Sequence, residues 1–208
     1  MAFLTLERGR LLSLQASQPE KNAPRGAGKA SMSHLQLRAA DGHTLSAYLA
    51  KPAGRARGAV VVIQEIFGVT GHIERVADQF AAEGYLAIAP ALFDRQQRGV
   101  NLAYDTAGTA HGLALAHAAD ENGLMADLDA AIAAVAHAGA VGMVGYCWGG
   151  RVVYQAGSRT NIAAGVVYYG GGITQVLEPA PKYRIERVRF PSDVLPAAPW
   201  RRCAARRP

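Results

Sequence analysis

The chain is poor in cysteine, in late histidine and in long apolar runs. Cys147 and Cys203 are its two cysteines. Two thiols cannot build a disulfide framework, so a reducing, cytoplasmic setting is expected. No run of about 18 apolar residues occurs, and no membrane-spanning helix is expected. The opening MAFLTLERGRLLSL lacks the long apolar region and cleavage site of a signal peptide, although its arginines leave an organelle transit peptide as an alternative. There is no G-x-G-x-x-G, which argues against a dinucleotide-binding module. No internal repeat is found. No histidine follows His137, and Asp193 is the one aspartate after Cys147.

What is present fits one domain: 208 residues, half of them hydrophobic. The net charge of +6 is unevenly spread. Residues 1–31 carry +3, residues 176–208 carry +5, and the stretch between them carries −2. The folded part is thus mildly acidic. Nucleic-acid binding would need a basic face there, so no nucleic-acid partner is expected.

Three regions follow. Residues 1–31 include the polar, small-residue stretch Gln15–Ser31 and are expected to be disordered. Patterning begins just after Met32, which is expected to be the true initiator. Residues 32–175 form the expected domain. Residues 176–208 hold six prolines and seven arginines without an apolar period, and are expected to be a disordered basic tail. Alternatively, a reading-frame shift near residue 176 has replaced the native C-terminal third.

Within the domain, strands and helices alternate. His34–Arg38 and Thr44–Ala50 flank Asp41-Gly42, a hairpin signal. Ala59–Ile63, Tyr85–Ala89, Val141–Tyr146 and Ala163–Tyr169 are short apolar runs suited to buried strands. Ile73, Val76 and Phe80 predict a helix over Gly71–Glu83, and Met125, Leu128, Ile132 and Val135 predict a second. A third is expected over Trp148–Gly157. The pattern predicts an α/β fold, a mostly parallel sheet with helices on both faces.

VGMVGYCWGG (Val141–Gly150) carries the chemistry. Gly145, Cys147 and Gly149 make the G-x-C-x-G form of a nucleophile elbow, a strand-to-helix turn that exposes one side chain. Such a nucleophile implies ester or acyl chemistry. The N-terminus of the following helix should favour the Cys147 thiolate. The bland alternative is an inert core cysteine. Glu65 follows a buried strand, where a carboxylate is costly unless paired or solvated, or it is simply a surface acid at a strand end. Arg95 offers a fork of donors suited to a carboxylate, or is a solvated loop arginine near Asp94. His72, His111, His117 and His137 are expected at the surface, with His72 the one candidate for a substitute base.

Together, VVVIQEIFGVTGHIERVADQFAAEGYLAIAPALFDRQ (Val60–Gln96) and VGMVGYCWGG resemble the dienelactone hydrolases, or carboxymethylenebutenolidases, over roughly residues 33 to 173. The resemblance implies an α/β-hydrolase fold, truncated here at its C-terminus. It implies an enzyme that opens a lactone such as dienelactone in chloroaromatic degradation, with no metal or organic cofactor. A monomer without a membrane partner is expected. Cys147 would be the nucleophile, assisted by Glu65. The amides of Ile66 and Trp148 would form the oxyanion hole, and Arg95 would hold a substrate carboxylate. The neighbourhood of Arg95 departs slightly from the family, with Ala91 where relatives often carry an acid. The triad aspartate, the triad histidine and a second substrate-contacting arginine lie further on in the family. No matching motif for them exists here, so impaired turnover is expected. The competing expectation is a non-catalytic fragment binding a small carboxylate through Arg95, or a protein partner through its tail.

Overall fold

A computed structural model describes residues 4–7, 10–13 and 31–173. The first two segments pair as an antiparallel hairpin of their own, β1 (Leu4–Glu7) and β2 (Arg10–Ser13). The remainder of the expected N-terminal extension and the 176–208 tail lie outside the described residues.

The hairpin expected around Asp41-Gly42 is present. It joins β3 (Ser31–Arg38) to β4 (Thr44–Lys51) in antiparallel register, with Leu37 opposite Leu45. Gly42 takes φ +88° in the turn, and the Asp41 carboxylate accepts the His43 amide at 3.0 Å. This left-handed backbone, easy only for glycine, is why the turn falls there. β5 (Ala59–Ile63), β6 (Leu86–Pro90), β7 (Val141–Tyr146) and β8 (Ala164–Tyr168) complete a six-stranded sheet of order β3-β4-β6-β5-β7-β8. β5 pairs in parallel with β6 and β7, and β7 with β8, while the β3–β4 and β4–β6 pairings are antiparallel. The continuous apolar runs are explained by burial on both faces: all five residues of β5 and of β6 are buried.

Helices cover both faces, as expected. α1 (Gly71–Ala82) buries Ile73, Val76 and Ala77 against Val60, Val62 and Val144 on one face. α2 (Thr106–Ala118) was not anticipated. α3 (Glu121–Val135) and α4 (Trp148–Arg159) pack Leu128, Ile132, Val152 and Val153 against Val61, Ile63 and Met143 on the other face. β5 and β7 are neighbours, and the crossover after β5 leads to β6 on one side while the crossover after β7 leads to β8 on the other. Such a switch point opens a crevice at the carboxyl ends of the strands. No described helix is long and apolar enough to cross a membrane.

Candidate active site

Sheet register builds the site. Ile63 of β5 lies opposite Gly145 of β7, which lies opposite Val167 of β8. Two residues further along these parallel strands come Glu65, Cys147 and Tyr169. The three side chains therefore emerge from neighbouring strand ends at the crevice.

Cys147 occupies the turn between β7 and α4 with φ +54° and ψ −119°. A non-glycine residue there is strained and persists only where its surroundings enforce it. Those surroundings are backbone. The Cys147 amide donates to the Tyr168 carbonyl at 3.0 Å, and the Cys147 carbonyl accepts from Gly150 at 3.0 Å. The flanking glycines are steric requirements. A Cβ on Gly145 would run into the Gly149 carbonyl, and one on Gly149 would run into the carbonyls of Gln64 and Ile63. The elbow expected from G-x-C-x-G is thus formed, with Cys147 partly exposed rather than enclosed in the core.

The shift of the thiol runs against the expected pull of the helix terminus. The thiol pKa is raised above its ordinary 9.0, first by burial and further by the nearby Glu65 charge. The Trp148 amide pulls the other way, but is outweighed. The helix terminus acts as anticipated, yet removal from water dominates.

Glu65 is 8 % exposed, so the surface alternative fails. Its two oxygens accept separate phenols: Tyr104 donates to Oε2 at 2.9 Å and Tyr169 to Oε1 at 3.0 Å. Burial and the adjacent carboxylate raise the Tyr104 phenol to about 12, and push Tyr169 higher still. Both are fixed donors at working pH. Tyr104 also shares a bond of 3.1 Å with Thr70 and lies 4.2 Å, ring to ring, from Phe67. Ile66 is buried next to Glu65, with its carbonyl beneath Gly112 of α2.

Arg95 stands elsewhere. Its Nε and Nη2 donate to the two oxygens of Asp127 on α3, both at 2.8 Å, and Nη1 reaches Asp41 in the β3–β4 turn at 2.8 Å. It is not a solvated loop arginine beside Asp94; Arg98 is the residue nearer that acid, at 4.0 Å. Neither is it joined to the Cys147–Glu65 row by any described hydrogen bond. His72 lies in the first turn of α1, exposed, its ring 6.1 Å from that of Tyr146. His111, His117 and His137 are exposed, as expected. Tyr104 and Tyr169 were missed as site residues. The signal available for Tyr169 was its position one residue past a strand that neighbours the elbow.

Residues 45–189 match the dienelactone hydrolase family. That match continues beyond residue 173. A Synechocystis protein assigned as a carboxymethylenebutenolidase is 38 % identical over 135 residues, covering 62 % of this chain and 55 % of the relative. The carboxymethylenebutenolidase of Pseudomonas putida is 32 % identical over 155 residues, covering 72 % of this chain and 66 % of the relative. The chain therefore spans little more than half to two thirds of the length of these relatives. A crystal structure from Klebsiella pneumoniae subsp. pneumoniae, assigned as a dienelactone hydrolase, superposes with a TM-score of 0.56 at 31 % identity, covering 67 % of this chain and 60 % of that one.

Proposed function

Because this chain belongs to the dienelactone hydrolase family, we propose that it attacks a lactone or related carboxylic ester with the sulfur of Cys147. The observation that carries this reading is the row of Glu65, Cys147 and Tyr169 at adjacent strand ends, with Cys147 held at φ +54° in the turn before α4. The sulfur adds to the carbonyl carbon while its proton passes to the Glu65 carboxylate. The new oxyanion is received by the amides of Ile66 and Trp148, the residue after the nucleophile being a usual donor. Collapse breaks the ester C–O bond, the departing oxygen takes the proton, and a thioester remains on Cys147. Water then releases the acid and restores the thiol. No metal or organic cofactor enters these bonds.

The second step is the weak one. The family's triad aspartate and histidine have no counterpart motif in this sequence, and loss of a triad base costs on the order of 10⁶ in kcat in a serine hydrolase. A sulfur nucleophile softens the penalty for acylation more than for water attack. Acylation should therefore outrun deacylation. Carboxylate capture through Arg95, the non-catalytic alternative, is disfavoured because that guanidinium is already shared by Asp127 and Asp41.

Intact-mass measurement after exposure to phenyl acetate tests this. One acetyl group should appear on Cys147, followed by little turnover, and Cys147→Ala should abolish the adduct. Equal acetylation of the variant would refute the nucleophile. Sustained hydrolysis at an ordinary enzyme's rate, lost in Cys147→Ser, would refute impaired turnover.

A further inference from the structure

We propose that Arg75 of α1 receives a carboxylate borne by the substrate, so that the ester is held with its carbonyl at Cys147 and its anionic end toward the head of α1. The proposal rests on the hydrolase reading above and names the residue that orients the substrate.

Arg75 stands at the crevice with no acid of its own. It is exposed in the first half of α1, and its Nη1 turns back to within 3.4 Å of where a Cβ on Gly71 would stand. The guanidinium therefore lies along the first turn, directly after Thr70. The Thr70 side chain does not cap the helix; its hydroxyl pairs with that of Tyr104 at 3.1 Å, and Tyr104 donates to Glu65. The Arg75 charge is felt at the Tyr104 hydroxyl. Three residues earlier on the same helix face is His72, its ring 6.1 Å from that of Tyr146, which in turn lies 6.2 Å from Tyr169. Arg75 thus sits between residues that lead to both ends of the Glu65–Cys147–Tyr169 row.

No structural task accounts for this placement. The acids of α1 are engaged elsewhere: Glu74 lies 4.0 Å from His34, and Asp78 accepts the Tyr48 hydroxyl at 2.7 Å. Glu65 does not serve, since its two oxygens are taken by Tyr104 and Tyr169. No ion pair joins Arg75 to a carboxylate among the described residues. A cation turned toward the positive end of a helix is unfavourable until an anion lies beside it. Arg95 has all three of its nitrogens on Asp127 and Asp41, whereas Arg75 keeps its fork for the two oxygens of a carboxylate. Because Arg75 reaches the row through Tyr104, the carboxylate it takes stands several atoms from the reacting carbonyl.

Two alkylating agents that differ in charge test this: N-iodoacetylglycine, whose carboxylate stands several atoms from the reactive carbon, and its neutral amide. In each, the Cys147 sulfur displaces iodide. Adducts are read at Cys147 by peptide mass spectrometry, and each rate is divided by that of N-acetylcysteine amide. The quantity followed is the acid-to-amide ratio. Arg75→Gln should lower it about two- to fivefold, the range of one exposed ion pair, and Arg75→Lys should restore at least half of that loss. Arg151→Gln, which removes the cation in the first turn of α4, should leave the ratio in place. A ratio unmoved by Arg75→Gln, lowered as much by Arg151→Gln, or not recovered in Arg75→Lys overturns the assignment to Arg75 while leaving Cys147 a competent nucleophile. Failure of both reagents at Cys147 overturns the nucleophile, and this proposal with it.

Discussion

Replacing Arg95 with methionine should destabilise the fold by about 3–5 kcal/mol, the usual cost of removing one member of a buried ion pair. The size follows from what is left behind. The Asp127 side chain is 1 % exposed, and the Arg95 fork is its hydrogen-bond donor pair among the described residues. Without it a carboxylate stays in the core uncompensated. A solvated loop arginine would instead cost at most about 1 kcal/mol. Urea unfolding at neutral pH, followed by tryptophan fluorescence and far-ultraviolet dichroism, resolves the two cases. With a slope near 2 kcal/mol/M the midpoint should fall by roughly 1.5–2.5 M. Arg95→Met combined with Asp127→Leu should recover most of the loss, since a buried pair can be exchanged for apolar residues at little cost. The pH dependence has a definite sign. The Asp41 carboxyl is held below its ordinary 3.8, mainly by Arg95 and next by the His43 amide. A lowered folded pKa contributes stability above the unfolded value, and that contribution disappears as pH falls through the folded one. The gap between wild type and Arg95→Met should therefore narrow in acid below about pH 4. A neutral-pH loss under about 1 kcal/mol, or a double variant no better than the single one, refutes the argument.

Two further outcomes follow from the elbow. Alkylation of Cys147 by iodoacetamide should rise about tenfold per pH unit through the neutral range and still be rising at pH 9, because the thiol lies above 9.0; a plateau at or below pH 7 would show a primed thiolate and refute this. Gly149→Ala should cost about 1–3 kcal/mol in urea unfolding, as its Cβ meets the backbone carbonyls of Gln64 and Ile63, which cannot yield like a side chain; unchanged stability would show that the elbow has slack.

Much of the sheet was legible because burial on both faces leaves a plain mark. Ala59–Ile63 and Val141–Tyr146 became strands where their apolar runs placed them. α2 was invisible for the converse reason. TAGTAHGLALAHA is small and apolar all round, so no period of 3.6 emerges, and its one local cue was Asp105 capping the Gly108 amide at 2.7 Å. At the site, motif spacing picked out Glu65 and Cys147 separately. Their adjacency belongs to β5–β7 register, which links residues about eighty positions apart and leaves no local trace. Arg95 shows the same limit. Its neighbour in sequence, Asp94, suggested a partner, whereas the real one is on α3. A clue existed: Asp127 interrupts the buried stripe of Leu124, Leu128, Ala131 and Val135. An aspartate on such a face needs a buried cation.

The elbow holds the sulfur in place without ionising it. One amide at the head of α4 favours the thiolate, but burial and the Glu65 charge together outweigh it. On the proposed mechanism the nucleophile rests as a thiol, since its pKa is raised. On the proposed mechanism this is an advantage for selectivity, because the carboxylate that discourages a free thiolate is also the group able to take the proton. As the sulfur bonds to carbon, negative charge moves from beside Glu65 onto the carbonyl oxygen, toward amides that bear partial positive charge. Repulsion present before attack is relieved by attack itself. Ionisation is then coupled to an ester carbonyl already seated in the crevice, and a thiol that waits for its substrate is spared idle oxidation. Tyr104 and Tyr169 set the orientation of the carboxylate in this exchange, each on one of its oxygens. Losing either hydroxyl would free one oxygen of Glu65, so the two phenols govern how readily the proton can be received.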